Sequence, residues 1–96
     1  MARKRAKLII DRLPPRVTAD ALEALLAALK EGPHRLKVEA KQVETIEPGG
    51  IEALLVLSKT QRARGDAFEI ANASEGFLAD TALFGVPPAY LEGKSQ

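Results

Sequence analysis

A regular alternation of strand-like and helix-like segments runs along this chain of 96 residues, and it limits the possible folds more than any other feature. Segments suited to strands occur at 7–12, 36–41 and 66–71, and each one precedes a segment with helical spacing of apolar residues. Parallel strands need crossover connections of this kind, and such crossovers are right-handed. The sequence therefore predicts an α/β fold with the order β-α-β-α-β-α and a mainly parallel sheet.

Each predicted helix has local signals at its ends. Thr18 is a suitable N-cap for the first helix, and Pro48 suits the first position of the second helix because its missing N–H costs nothing there. Gly65 is placed to end the second helix. Ser74 is a suitable N-cap for the third helix, which is expected to end before Gly85. Leucines at helical spacing form one apolar stripe on the first helix: Leu22, Leu25, Leu26 and Leu29.

The second and third strands alternate apolar and charged residues, which is typical of strands with one buried and one solvated face. We therefore expect the helices to cover mostly one face of the sheet. The open face would carry Lys37, Glu39, Lys41 and Glu69. This mixed-charge set has no aromatic ring for base stacking, so no nucleic-acid partner is expected.

Composition excludes much chemistry. The chain has 14 basic and 13 acidic residues, a formal net charge of +1, no cysteine and one histidine, His34. Thiol nucleophiles and cysteine-based metal sites are therefore impossible. Glu39, Glu44 and Glu47 lack the ligand spacing of a cation site, and no nucleophile–base pair can be assembled around His34. The sequence predicts neither an enzyme nor a bound metal or cofactor.

The length and the charge pattern suggest one domain with two flanking segments. Residues 1–7 form a basic N-terminal segment, residues 8–86 a single domain, and residues 87–96 a C-terminal tail whose last five residues are expected to be disordered. The apolar run after the basic start is too short for a signal peptide. No stretch is long enough to span a bilayer, so a cytoplasmic protein without membrane insertion is expected.

The segment Glu47-Pro48-Gly49-Gly50 joins a predicted connection to the most apolar helix. Its two glycines and the helix N-terminus could bind an anion, but the segment lacks the Gly-Lys-Ser/Thr ending of a phosphate-binding loop. A docking surface for a protein partner is the favoured interpretation, because loops on a rigid scaffold often carry recognition.

The ordered set of motifs between Leu36 and Val86 resembles a STAS domain, the fold of bacterial anti-sigma-factor antagonists. The resemblance rests on five segments: an alternating strand, Gly50-Ile51-x-x-Leu54-Leu55-x-Leu57, Arg62-Ala63-Arg64-Gly65, Ile70-Ala71-Asn72-Ala73-Ser74, and Leu83-Phe84-Gly85-Val86. It extends over residues 8–86 when the first strand and helix are included. The Leu13-Pro14 element and the short length are most similar to the small STAS proteins of chemotaxis operons.

This family typically has Asp-Ser-Ser/Ala-Gly at the start of the second helix, where a dedicated kinase phosphorylates the first serine. In this chain Pro48 stands at that serine position and has no hydroxyl, so phosphorylation there is impossible. Thr45 is a nearby but offset hydroxyl, and Ser58 is expected to lie mid-helix and partly buried. The resemblance implies a partner-binding surface formed by Thr45, Glu47, Pro48, Gly49, Gly50 and Glu52.

The sequence thus predicts a non-enzymatic, STAS-type interaction module that acts by stoichiometric binding. The expected partner is a regulatory protein: an anti-sigma-type kinase, a chemotaxis component or a transporter subunit. Two alternatives stay open. The chain could be an accessory subunit of a chemotaxis array or of a lipid-type ABC transporter, or it could be a small nucleotide- or anion-binding protein that uses the Gly49–Gly50 turn.

Overall fold

The computed structural model describes residues 7–94 of the chain. Five strands lie at Lys7–Arg12 (β1), Arg16–Val17 (β2), His34–Glu39 (β3), Thr45–Ile46 (β4) and Phe68–Ala71 (β5). Four α-helices lie at Glu23–Lys30 (α1), Pro48–Arg64 (α2), Glu75–Leu83 (α3) and Pro88–Leu91 (α4), and a short 3-10 turn precedes α1.

The main sheet has three strands in the order β1-β3-β5, and both pairings are parallel. Helix α1 lies between β1 and β3 in the chain, and α2 lies between β3 and β5. The predicted α/β class with a mainly parallel sheet is therefore confirmed.

A second, two-stranded parallel ladder was missed by the sequence prediction. Arg16 pairs with Thr45 and Val17 pairs with Ile46, so β2 and β4 join the connection after β1 to the connection after β3. Both segments were expected to be loops, because two residues are too few to show a periodicity.

One face of the main sheet carries the core. Leu36 and Val38 of β3 and Phe68 of β5 are buried there, and the buried leucines of α1 and α2 belong to the same cluster. The alternation predicted for the second and third strands is present, since the residues between these positions are more exposed.

The opposite face of the sheet is open. Ile10 lies beside Lys37, and Lys37 lies beside Glu69, so the three strands present apolar, basic and acidic side chains in one row. Leu8 and Ile10 are 49% and 63% exposed. These two exposed apolar side chains make the open face partly hydrophobic, which its predicted charges alone did not indicate.

The ends of α2 and α3 agree with the local signals, whereas α1 begins at Glu23 and does not have Thr18 as its N-cap. Pro48 is the first residue of α2, and Gly65 ends it in the left-handed conformation that a Cβ disfavours. The Ser74 hydroxyl accepts a hydrogen bond from the Phe77 N–H. The Thr18 hydroxyl accepts one from the Ala21 N–H at the start of the 3-10 turn.

The structure describes only part of each predicted flanking segment. Residues 1–6 of the predicted basic segment lie outside the described residues, and Lys7 begins β1. In the predicted tail, Leu91 of α4 is buried against the core. The expected disorder is wrong for Glu92, because its carboxylate accepts a hydrogen bond from the Ile70 N–H at 2.7 Å. Residues 95 and 96 lie outside the described part of the chain.

Candidate functional site

The predicted partner-binding residues lie where β4 leads into the first turns of α2. Thr45 is exposed and lies in β4, Glu47 is the residue before α2, and Pro48 is exposed at its first position. Gly50 is buried, whereas Glu52 is exposed on the outer side of the helix. We refer to residues 44–50 as the docking loop.

Backbone hydrogen bonds fix the docking loop to the segment around β2. The Pro15 carbonyl accepts from the N–H groups of Glu44 and Thr45 at 2.7 and 3.0 Å, and the Val17 carbonyl accepts from the Glu47 N–H at 2.9 Å. A loop with this many main-chain partners is held in one conformation, which reduces the entropy that a partner must remove on binding.

Asp80 of α3 ties the docking loop from the other side. Its Oδ2 atom accepts the Ile46 N–H at 2.8 Å and the Thr45 hydroxyl at 3.1 Å. A single carboxylate oxygen therefore joins α3 to β4. Asp80 could not be identified from the sequence, because nothing in its spacing links it to residues 34 and 35 positions earlier.

An ion pair links the docking loop to β2 near the surface. The Glu47 carboxylate accepts a hydrogen bond from Arg16, and both groups lie near the surface. Such a pair adds little stability because water screens it. It does place the Arg16 cation beside Glu47, whose carboxylate alone would repel a phosphate.

The two glycines of the loop have packing roles. A Cβ on Gly50 would overlap the Val17 carbonyl oxygen and would lie 3.1 Å from Ile46 Cγ2, while a Cβ on Gly49 would lie 3.3 Å from Ala19 Cβ. Close packing of α2 on β2 therefore accounts for Gly50 without any bound anion.

Helix α3 approaches the same loop in the same way. A Cβ on Gly76 would overlap the Glu44 carbonyl oxygen and would lie 3.0 Å from that of Val43. The Ser74 hydroxyl donates to the Val43 carbonyl at 2.6 Å. Both α2 and α3 thus begin directly against the backbone of the β2–β4 region, with the docking loop between them.

Neither Thr45 nor Ser58 is well placed for phosphorylation. The Thr45 hydroxyl donates to Asp80, and a phosphate would replace that donor with negative charge beside a carboxylate. Ser58 is 3% exposed, and its hydroxyl donates to the Leu91 carbonyl at 2.6 Å. Pro48 has no hydroxyl.

The outer side of α2 continues the exposed surface away from the loop. Glu52, Val56, Lys59 and Ala63 are exposed and follow each other at helical spacing. Val56 is 49% exposed, in contrast to the buried Leu54 and Leu57 on the inner side. Helix α3 is also apolar outside, where Leu78 is 46% exposed.

A polar cleft of about 540 Å³ lies at the carboxyl ends of the main strands and was not predicted. Arg12, Glu39, Lys41, Gln42 and Asn72 line it. The Glu39 carboxylate accepts from the Asn72 side-chain amide at 2.8 Å and from the Lys41 N–H at 3.1 Å. Ligands often bind at this edge of parallel sheets, but internal hydrogen bonds already engage the only acid in this cleft.

The structure does not bring together His34 and the three glutamates that were considered for catalysis or metal binding. The His34 ring nitrogen Nδ1 lies 2.9 Å from the Gly32 carbonyl oxygen. Glu39 lies in the cleft, whereas Glu44 and Glu47 lie at the docking loop. Within residues 7–94, no three His, Asp or Glu side chains are grouped so that they could hold a metal ion.

Comparisons of the chain with protein-family models, with curated proteins and with solved structures gave no match. Among the helices of the described residues, none is both long and apolar enough to cross a membrane.

Proposed function

We propose that this protein is a non-enzymatic, STAS-type interaction module that binds a regulatory protein through the docking loop and the exposed side of α2. The observation that carries the proposal is the rigidity of an exposed loop. Its N–H groups donate hydrogen bonds to Pro15, Val17 and Asp80, which fix its backbone. Thr45 and Pro48 nevertheless stay exposed.

The surface next to the loop has the composition of a binding site. Val56 supplies an exposed apolar side chain, while Glu52 and Lys59 supply opposite charges around it. An apolar centre with a polar rim is the usual arrangement at protein interfaces. Binding is stoichiometric and needs no phosphorylation, since Pro48 replaces the hydroxyl of the family pattern.

The proposed partner is an anti-sigma-type kinase, a chemotaxis component or a transporter subunit, and the proposed location is the cytoplasm. A photo-crosslinking amino acid at Val56 in the native host would identify the neighbour directly. Recovery of a kinase, of a chemotaxis protein, or of a permease with its ATPase would show to which of the three classes the partner belongs.

Variant capture from lysate tests the surface itself. We expect Val56→Arg to abolish recovery of the crosslinked partner, because it places a charge at the centre of the interface. Glu69→Lys on the open sheet face is the matched control and should leave recovery unchanged. Equal recovery by wild type and Val56→Arg would contradict the proposal. Gly50→Arg is unsuitable here, because it would disturb the packing of α2 on β2.

A further inference from the structure

Strand β1 has a free edge in the part of the chain that the structure describes. It pairs only with β3 there, and the Leu13 N–H continues that ladder by donating to the Glu39 carbonyl at 2.9 Å. In a parallel ladder alternate residues bond to the same neighbour. Odd-numbered residues of β1 therefore bond to β3, and Leu8 and Ile10 direct their N–H and C=O groups away from the sheet.

The side chains of β1 follow the same alternation. Leu8 and Ile10 stand on the open face, where they are 49% and 63% exposed. Ile9 and Asp11 lie on the face that carries the core and are half-buried. An edge strand with exposed apolar side chains and unpaired backbone groups is a template for another strand.

Two opposite charges flank Ile9 on β1. Lys7 and Asp11 are four residues apart, so they lie on the same face at either end of the strand. The ion pairs within residues 7–94 are Arg16–Glu47 and Lys94–Glu92, and neither includes these two residues. Burial raises the pKa of the Asp11 carboxyl.

We propose that two copies of this chain pair through β1, antiparallel and centred on Ile9. In this register Lys7 of each copy lies opposite Asp11 of the other, and Leu8 lies opposite Ile10. Because Leu8 and Ile10 have the outward-facing backbone groups, they form the hydrogen-bonded pairs, and the two Ile9 residues form a non-hydrogen-bonded pair between them.

Charge complementarity selects this register over its neighbours. Centring the pair on Ile10 places Ile9 opposite Asp11, which buries a carboxylate against an apolar side chain. Centring it on Asp11 places two carboxylates directly opposite each other, which is destabilising. Only the Ile9 register matches apolar with apolar and acid with base along the strand. The result is an isologous dimer with a continuous six-stranded sheet.

Sedimentation of the full-length chain over a wide concentration range tests the dimer. We expect a reversible monomer–dimer equilibrium in the wild type. Lys7→Asp and Asp11→Lys should each weaken self-association by roughly tenfold or more, because like charges then face each other at both ends. An equimolar mixture of the two variants should regain dimers, since every facing pair is again complementary.

Disulfide trapping tests the register, and the natural chain has no cysteine to interfere. Ile9→Cys should crosslink to itself under mild oxidation, because its partner is the same residue in a close non-hydrogen-bonded pair. Leu8→Cys is the matched control and should not, because its partner is Ile10.

Three results would overturn the proposal: a wild type that stays monomeric at every concentration, single charge variants that still dimerise, or a mixture that does not associate. A wild type that stays monomeric would instead indicate that the charges of Lys7 and Asp11 prevent β1 from pairing with another strand. Far-UV circular dichroism of each variant distinguishes lost association from lost folding.

Discussion

The backbone of Gly50 lies against the carbonyl group of Val17, so that the first turn of α2 touches β2 with no side chain between them. A Cβ at this position would come within 2.9 Å of the Val17 carbonyl carbon. We predict that Gly50→Ala destabilises the fold by roughly 1–3 kcal/mol, because the helix must move away from the strand. Urea denaturation measures this loss.

Gly49→Ala is the matched control for that prediction. Its Cβ would meet Ala19 Cβ at 3.3 Å and the Ala19 nitrogen at 3.7 Å, and alanine favours the helix. We expect a clearly smaller loss than for Gly50→Ala. Equal stabilities of the two variants would contradict the packing role of Gly50.

Asp80 is predicted to hold the docking loop in place. Asp80→Ala leaves the Ile46 N–H without its acceptor, which should cost roughly 1–3 kcal/mol and speed hydrogen exchange of that amide. Asp80→Asn keeps an oxygen acceptor and should retain most of the protection. Unchanged exchange at Ile46 in the alanine variant would show that Asp80 does not fix the loop.

Gln61 is predicted to act as a structural clamp inside the core. Its side-chain amide is 1% exposed and donates to the carbonyls of His34 and Ala67 at 2.6 and 2.9 Å. Gln61→Leu keeps a similar volume but leaves the His34 carbonyl unpaired, so we expect a loss of roughly 1–3 kcal/mol in thermal or urea unfolding. A Gln61→Leu variant as stable as the wild type would contradict this stabilising role of Gln61.

The half-buried Asp11 predicts a specific pH dependence of the monomer. Because burial raises its pKa above the ordinary value of 3.8, the folded state holds this proton more tightly than the unfolded state. Stability from this group is therefore fully present below that value and is lost as the pH rises through the folded pKa.

Asp11→Asn isolates this effect. The variant should be more stable than the wild type at pH 7, and the difference should disappear at acid pH. Unfolding free energies measured across this range, at concentrations low enough to keep both proteins monomeric, give the comparison. A variant that is less stable at pH 7 would contradict the prediction.

Local signals explain why the helix ends could be predicted. Pro48, Gly65 and Ser74 each act within a few residues of their own position, through a missing N–H, a left-handed conformation and a side-chain cap. Periodicity likewise identified the buried face of β3, because the alternation of apolar and charged residues can be recognised within a single strand.

The parts that could not be predicted depend on partners distant in sequence. The strands that pair Val17 with Ile46 have only two residues each, so they show no periodic pattern in the sequence. The contact of Asp80 with Ile46 and the burial of Leu91 also depend on tertiary packing. At the docking loop, the residue identities were visible in the sequence, but the reason for Gly50 was not.

The strand order β1-β3-β5 has a consequence for how the chain reaches its folded state. Each strand of the main sheet pairs with the one before it in the chain, so each new pairing closes only the loop around one intervening helix. Each closure nevertheless brings together residues about 30 positions apart, as in the pairing of Leu36 with Phe68, so the sheet is non-local and forms more slowly than the helices. Because α1 packs mostly against α2 and not against β1 or β3, it gains its tertiary contacts only after α2 has left the ribosome during synthesis.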